Sequence, residues 1–365
     1  MRVVQVKGAP YQCGYGHGTQ AHDQINEAAD VYRRWFHAFA GLDSRAVAEA
    51  VLPHLDWLET HRPDALVEMQ GIADGAGLPV SAIAALNFRT EIAYRAVGTT
   101  ALTECTVVGV DASASADGHV YIGQNWDWLT ELLELAILLD IDLEGGRRLV
   151  TITEPGMLAK LGMNSSGVGL CVNLLGSDVN GIGGSFHTLA RDVLQSTSAL
   201  DGTWAVSSAE RAGSGNFLIG GKTGEVVDLE YNPKRYDLLF PRNGVVAHAN
   251  HFLAPEPGVR DRMDYLPQLS PGTYFRQHRA DQLLDEARNR GGVSLADISQ
   301  VLRDHYGAPE SICRHPGVPD SCGGTREILG QTNVSAIFDL TAAVMHLAVG
   351  TPCETTYDTI GMPWS

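Results

Sequence analysis

The sequence predicts an α+β protein in which antiparallel sheets stack on one another under a cover of helices. Three observations carry that expectation. The first hundred residues read as helices, the texture switches to strand hairpins at Cys105, and two later pairs of helices interrupt the hairpins.

In the helical part, "HDQINEAADVYRRWFHAFAG" spaces its apolar residues for one helical face and stops at Gly41. "SRAVAEAVLPHLDWLETH" follows, with a break expected at Pro53. "RPDALVEMQGIADGAG" starts near Pro63 and ends at Gly77, and "VSAIAALNFRTEIAYRA" is a fourth helix. From Cys105, "CTVVGVDA" and "HVYIGQNWD" read as strands. "AILLDIDLEGGRRLVTIT" is a hairpin turning at Glu144-Gly145-Gly146, and "GMNSSGVGLCVNLL" is another. "HTLARDVLQSTSAL" and "TWAVSSAERA" are helical, "NFLIGGKTGEVVDLEY" and "YDLLFPRNGVVAHANHF" return to strands, and helices follow near Tyr274–Arg290 and Leu295–Tyr306. "VSAIFDLTAAVMHLAVG" closes with a strand pair turning at Thr341-Ala342. There is no internal repeat.

Bulk properties exclude several functions. With 365 residues, 44% of them apolar, a packed core of one large or two ordinary domains is expected. A net charge of −17 repels phosphate backbones and anionic lipid, which disfavours nucleic-acid and membrane partners. No apolar run is long enough to span a bilayer, and the N-terminus lacks a signal-peptide pattern, so a cytoplasmic protein is expected. The six cysteines form no CxxC and no Cys/His group with zinc spacing, so no metal is expected and the thiols should be largely free. Cys313 and Cys322 are close enough in sequence for a disulfide, which a reducing compartment disfavours.

Two glycine-rich stretches fail as nucleotide motifs. "GSGNFLIGGKTGE" has Asn216 where a P-loop needs glycine, and a strand follows it, so it reads as a hairpin turn. "CGYGHGTQ" is not set in a βαβ unit and reads as a tight turn into the first helix. His248 and His251 in "AHANHF" should point to opposite faces of a strand and make no metal site.

The remaining features fit one chemistry. "TECTVVGV" places Cys105 at the start of a strand, at the boundary between helices and hairpins. A thiol needs a proton acceptor to become a nucleophile. If the bond before Cys105 is cut, the freed α-amine on the same residue can serve. "GQNWDW" puts Asn125 and Asp127 on one strand face and Trp126 and Trp128 on the other. Asp127 lies one hairpin from Cys105 and can orient that amine, and Asn250 can donate to an oxyanion. Spacing alone favours a plain strand end at Asp127, and it fits core indoles at Trp126 and Trp128 at least as well as an acyl pocket.

In their order along the chain, "GAPYQCGYGHG", "MQGIADGAGLPVSAIAALNFRTEI", "ECTVV…GQNWDW", "MNSSGVGLCVNLL", "NFLIGGKTGEVVDLE", "HANHF", "SICRHP" and "VMHLAVGTPCE" resemble the acyl-coenzyme A:6-aminopenicillanic acid acyltransferase family of N-terminal nucleophile (Ntn) hydrolases, and more distantly the choloylglycine hydrolases. The resemblance implies a four-layer αββα Ntn-hydrolase sandwich. It implies a helical prosegment, residues 1–104, cut between Glu104 and Cys105 from a catalytic domain, residues 105–365, with which it stays as the other half of a heterodimer. It makes Cys105 the nucleophile, Asp127 the residue that binds its amine and Asn250 the oxyanion donor. Asn173 occupies the place of a second oxyanion contact. Trp126, Trp128 and Gln124 are candidate substrate contacts, although Gln124 stands where choloylglycine hydrolases carry arginine, whose role is not carried over. Glu104 departs from the glycine of the family's best-known member, and a carboxylate there opposes thiolate formation and slows processing.

The expected activity is therefore a cofactor-free cysteine amidase on a small N-acyl compound. Acyl transfer to an amine is the alternative. An unprocessed, non-enzymatic binding protein, or an uncut Cys-His hydrolase using His248 or His251, are readings of other kinds.

Overall fold

The chain is described here from a computed structural model over residues 1–97, 105–177, 179–254, 271–316 and 330–365. Two sheets stack face to face. The larger runs in the order β1-β4-β5-β6-β7-β8-β9-β10 and the smaller in the order β11-β2-β3-β12-β13-β14, numbered along the chain. The larger comprises Arg2–Gly8, Ile137–Leu143, Arg148–Thr153, Leu161–Asn164, Val168–Leu174, Gly215–Gly221, Val226–Tyr231 and Tyr236–Leu239 in that order. In the smaller, β11 is Val245–His248, β2 Cys105–Val110, β3 Tyr121–Leu129, β12 Gly330–Asp339, β13 Val344–Val349 and β14 Asp358–Gly361. Helices α7 (Phe186–Leu194) and α8 (Ala199–Ser207) pack outside the larger sheet. Helices α9 (Gly272–Asn289) and α10 (Leu295–Leu302) pack outside the smaller one. This is the expected αββα layering. Because β2 and β3 are covered on both faces, every residue in them is buried. Their polar side chains must therefore find partners inside the protein.

The N-terminal region is α2 (His22–Ala40), α3 (Ser44–His61), α4 (Pro63–Ala76), α5 (Val80–Asn87) and α6 (Arg89–Val97), preceded by α1 (Pro10–Gln20). Gly41 and Gly77 end α2 and α4 in the left-handed conformation, as the sequence predicts. Four expectations are corrected. Residues 2–8 form a strand, β1, which pairs in parallel with β4, so the region is not wholly helical. Pro53 does not break α3: Val47, Val51, His54 and Leu58 keep one buried face across it, and their packing outweighs the missing N–H donor. The fourth expected helix divides at Phe88. The Asn87 side chain there donates to the Gly156 carbonyl and accepts from the Leu158 N–H, tying the division to the segment between β5 and β6.

The fourth correction concerns "CGYGHG", which is helix rather than turn. Its glycines let α1 lie backbone to backbone on α4. A Cβ on Gly14 would sit 2.0 Å from the Glu68 carbonyl oxygen, and one on Gly71 would sit 2.3 Å from that of Tyr11. The glycine pattern is thus a contact surface for a neighbouring helix. Strand β14 also lay outside the sequence reading. No helix among the described residues is long and apolar enough to cross a membrane.

Replacing Gly71 by valine should cost about 3 kcal/mol of unfolding free energy by forcing α1 off α4. Gly41→Ala, at φ +66° with open space around it, should cost about 1 kcal/mol. Urea denaturation of both variants measures the difference, and equal losses would remove the packing argument.

Candidate active site

Cys105 opens β2 opposite Trp126 of β3, and both side chains face the larger sheet. Its backbone is held by side chains from distant parts of the chain. The Cys105 N–H donates to Asn250 Oδ1 at 2.8 Å. Its carbonyl accepts from Arg276 Nη1 at 2.7 Å and from Asn173 Nδ2 at 3.0 Å. Arg276, on the first turns of α9 and wholly buried, also donates to Thr106 Oγ1 and, through Nη2, to Asn250 Oδ1.

These bonds decide what each amide can do. Asn250 Oδ1 receives two donors, which turns Nδ2 toward the Leu174 carbonyl at 2.9 Å. A side-chain amide carries two N–H donors, so one remains for a further acceptor. Asn173 Nδ2 spends both of its donors, on the carbonyls of Cys105 and His248. Its side chain anchors the strand start. Asn173 Oδ1 accepts from Asn216, which also donates to Asp228 at 2.6 Å.

The backbone N–H of Asp127 lies near enough to the thiol to favour its thiolate form. Its carboxylate accepts from Thr332 Oγ1 at 2.6 Å. Thr332 adjoins a bulge in β12, where Asn333 is the extra residue opposite the Asp127–Trp126 step. Bulges re-aim side chains in this way next to functional sites.

The other residues of "GQNWDW" divide by face, as the alternation predicts. Gln124 exchanges two hydrogen bonds of 2.7 Å with the Val172 backbone and locks the two sheets together. Asn125 faces outward and donates to the carbonyls of Leu302 and Ile312. Trp126 lines a cavity of about 20 Å³ beside the thiol, together with Arg89, Thr90, Lys160 and Phe186. Trp128 packs under the Arg89 guanidinium and donates to Tyr32, so it belongs to the core. A larger apolar cavity of about 350 Å³ lies among α2, α3 and α5 and has no residue of the Cys105 site in its lining. The smaller cavity is the one that adjoins Cys105.

Burial, and after it the Asp127 carboxylate, push the Cys105 thiol up to about 11, against the pull of Lys160, the Asp127 N–H and Arg276. Burial thus keeps Cys105 as the neutral thiol near neutral pH. Lys160 lies with its Nζ 3.7 Å from the Trp126 ring centroid and 3.6 Å from Glu154. Burial brings it down to about 8, although Glu154 draws it up. Neither Lys160 nor Arg276 was visible in the sequence, where each is one cation in an ordinary context.

His248 and His251 face different partners. His248 Nε2 meets Glu230 at 2.7 Å and Asp228 at 3.9 Å, wholly buried. His251 Nδ1 meets Thr273 at 2.9 Å. Glu230 also accepts from the N–H groups of Leu253 and Ala254, and so fixes the loop that carries Asn250. Glu104, and Cys322 of the disulfide considered above, lie outside the described residues.

The family model for acyl-coenzyme A:6-aminopenicillanic acid acyl-transferase matches residues 114–354. The chain is 31% identical over 319 residues to the 40 kDa form of acyl-coenzyme A:6-aminopenicillanic-acid-acyltransferase of Emericella nidulans, covering 86% of this chain and 85% of that one. Among solved structures, the Caenorhabditis elegans N-acylethanolamine-hydrolyzing acid amidase ortholog is similar with a TM-score of 0.45 and 14% identity, covering 65% of this chain and 93% of that one. A mutant of conjugated bile acid hydrolase from Clostridium perfringens gives 0.44 and 12%, covering 71% and 98%.

The His248 cluster sets a pH dependence. Burial opposes the imidazolium, but Asp228 and Glu230 prevail and raise it to about 9. A raised histidine contributes stability that is complete below its unfolded value, about 6.5, and is lost as pH rises through its folded value. Wild type should therefore lose stability relative to His248→Gln between pH 6.5 and 9.5 in urea titrations. Asp228, raised to about 6 chiefly by burial and against the pull of His248, sits at the lower edge of that window. A constant gap across it would show that His248 is not held charged.

Proposed function

The chain belongs to the acyl-coenzyme A:6-aminopenicillanic acid acyltransferase family, whose chemistry is acyl transfer or acyl hydrolysis, and on that premise we propose that it is an amidase that cuts itself before Cys105. The new N-terminal cysteine then cleaves a small N-acyl compound. One observation carries the reading. The backbone N–H and carbonyl of Cys105 are held by Asn250, Asn173 and Arg276, so its position does not depend on the residue before it. A chain terminus that must stay in register needs such a grip.

In self-cleavage the Cys105 sulfur adds to the Glu104 carbonyl carbon. Collapse breaks the C–N bond to Cys105, leaving a thioester and a free α-amine, and water then releases the Glu104 carboxylate and the thiol. In turnover the α-amine takes the thiol proton, and the thiolate attacks the substrate amide. The spare N–H of Asn250 stabilises the oxyanion, while its Oδ1 keeps hold of the cysteine nitrogen. The protonated α-amine returns its proton to the leaving amine. Water, deprotonated by the α-amine, then resolves the S-acyl-enzyme. Asp127 binds and orients the ammonium, and Asn173 fixes the strand start. Lys160 lends positive charge to the sulfur. Arg89 and Thr90 close the cavity from the prosegment side, which remains bound as the second chain of a heterodimer.

The resemblance in sequence to an acyltransferase favours a second fate for the same thioester, attack by the amine of a small metabolite. Adding amines to the assay separates the two, because transfer yields a new amide at the expense of the free acid.

Intact-mass and N-terminal analysis of wild type should show a 261-residue fragment (105–365) beginning at Cys105. Cys105→Ala should remain full-length and lose at least about a thousandfold in turnover. A wild type found only at full length, or a Cys105→Ala variant with undiminished activity, would sink the reading.

If Asn250 supplies the oxyanion donor, processed Asn250→Ala should lose about 10²–10³ in kcat with little change in KM. A loss confined to KM would place Asn250 in substrate binding instead.

A further inference from the structure

On the far side of Asp127 lies a group of side chains that the amidase chemistry does not use. His305, just beyond α10, Cys313 and His315, on the segment leading toward β12, and Cys353, beyond β13, converge from three parts of the chain. One donor atom from each lies within 4.8 Å of all the others. His305 Nε2 and His315 Nε2 are 2.9 Å apart, Cys353 Sγ and His315 Nε2 3.3 Å, and Cys313 Sγ and Cys353 Sγ 3.5 Å.

These three separations are somewhat shorter than the corresponding edges of a zinc tetrahedron, and the other three lie within 4.8 Å. Zinc bonds of about 2.3 Å to sulfur and about 2.0–2.1 Å to nitrogen give S···S, S···N and N···N edges of about 3.8, 3.5 and 3.4 Å. Shifts of a few tenths of an ångström complete the fit. Two thiolates and two neutral imidazoles also balance a divalent charge. Soft sulfur with imidazole selects zinc over magnesium or calcium. Glu354 Oε1 stands 3.5 Å from His315 Nδ1, where a carboxylate backs a zinc-bound histidine and fixes its tautomer. Cys313 is buried, whereas His305 and Cys353 are exposed, so an ion can enter from solvent.

We propose that His305, Cys313, His315 and Cys353 form a Cys₂His₂ zinc site. Four protein ligands leave no open position, so the ion is structural. It pins the 304–315 segment to the loop beyond β13. That segment reaches the active site in two hydrogen bonds, from the Arg314 N–H to Thr332 Oγ1 at 2.9 Å and from Thr332 to Asp127.

The test uses the untagged full chain from zinc-supplemented medium. Elemental analysis should give about one zinc per chain, and Cys353→Ser and His305→Asn should each hold less than about a tenth of that. Both replacements are at exposed positions, and circular dichroism confirms that the variants are folded. Chelator-stripped wild type refilled with cobalt(II) should show thiolate-to-cobalt charge transfer in the near ultraviolet and intense tetrahedral d–d bands. Zinc should raise the Tm of stripped wild type and leave that of Cys353→Ser unchanged. Three results would overturn the proposal. They are little metal in wild type even after refilling, equal metal in wild type and Cys353→Ser, and a Cys313–Cys353 disulfide in a non-reducing peptide map.

Discussion

The guanidinium of Arg276 is the interaction on which the rest of the site depends. It is wholly buried and reaches three acceptors at once: the Cys105 carbonyl, the Thr106 hydroxyl and Asn250 Oδ1. A buried charge is tolerated only where its donors are satisfied, and leaving it half-satisfied costs several kcal/mol. The three groups it joins come from β2 and from the loop after β11. Arg276 thereby makes one unit of the Cys105 backbone and the amide that grips its nitrogen. The planar fork of arginine suits this, because its donors point in fixed directions.

Around that unit runs a polar layer between the two sheets. Asn173 links the Cys105 carbonyl to Asn216, Asn216 links to Asp228, and Asp228 lies beside His248 and Glu230. Each sits where most two-sheet proteins place aliphatic side chains. Such a network is worth keeping only if its members are paired, and each bond named here also restricts where a neighbour can sit. A tight cavity next to the thiol follows from this rigidity. The elevated thiol has the same origin: burial favours the neutral sulfur.

Much of this was legible in the sequence wherever the signal is local. The boundary at Cys105, the hairpin at Glu144-Gly145-Gly146 and the glycine stops at Gly41 and Gly77 rest on neighbouring residues, and the fold follows them. The alternation in "GQNWDW" sorted the side chains by face, with Gln124 and Trp126 inward and Asn125 outward. The structure brings Asn173 and Asn250 onto the Cys105 backbone and sets the Asp127 carboxylate on Thr332. What escaped is non-local. Strand β1 takes its partner from β4, far along the chain, and Pro53 keeps its helix through packing that propensity does not register. Arg276 and Lys160 acquire meaning only from what surrounds them. The Cys/His group was hidden because its ligands do not fall in a short spaced motif.

The parallel pairing of β1 with β4 sets an order of events during synthesis. Residues 2–8 emerge well before the strand they join, which starts at Ile137. Until β4 has been made, this edge has no hydrogen-bond partner in the sheet, and the first helices wait beside an unfinished wall. The ladder that finally forms ties the beginning of the polypeptide to its middle by seven paired residues. A scission between them would change the connectivity of that wall without removing one of its strands.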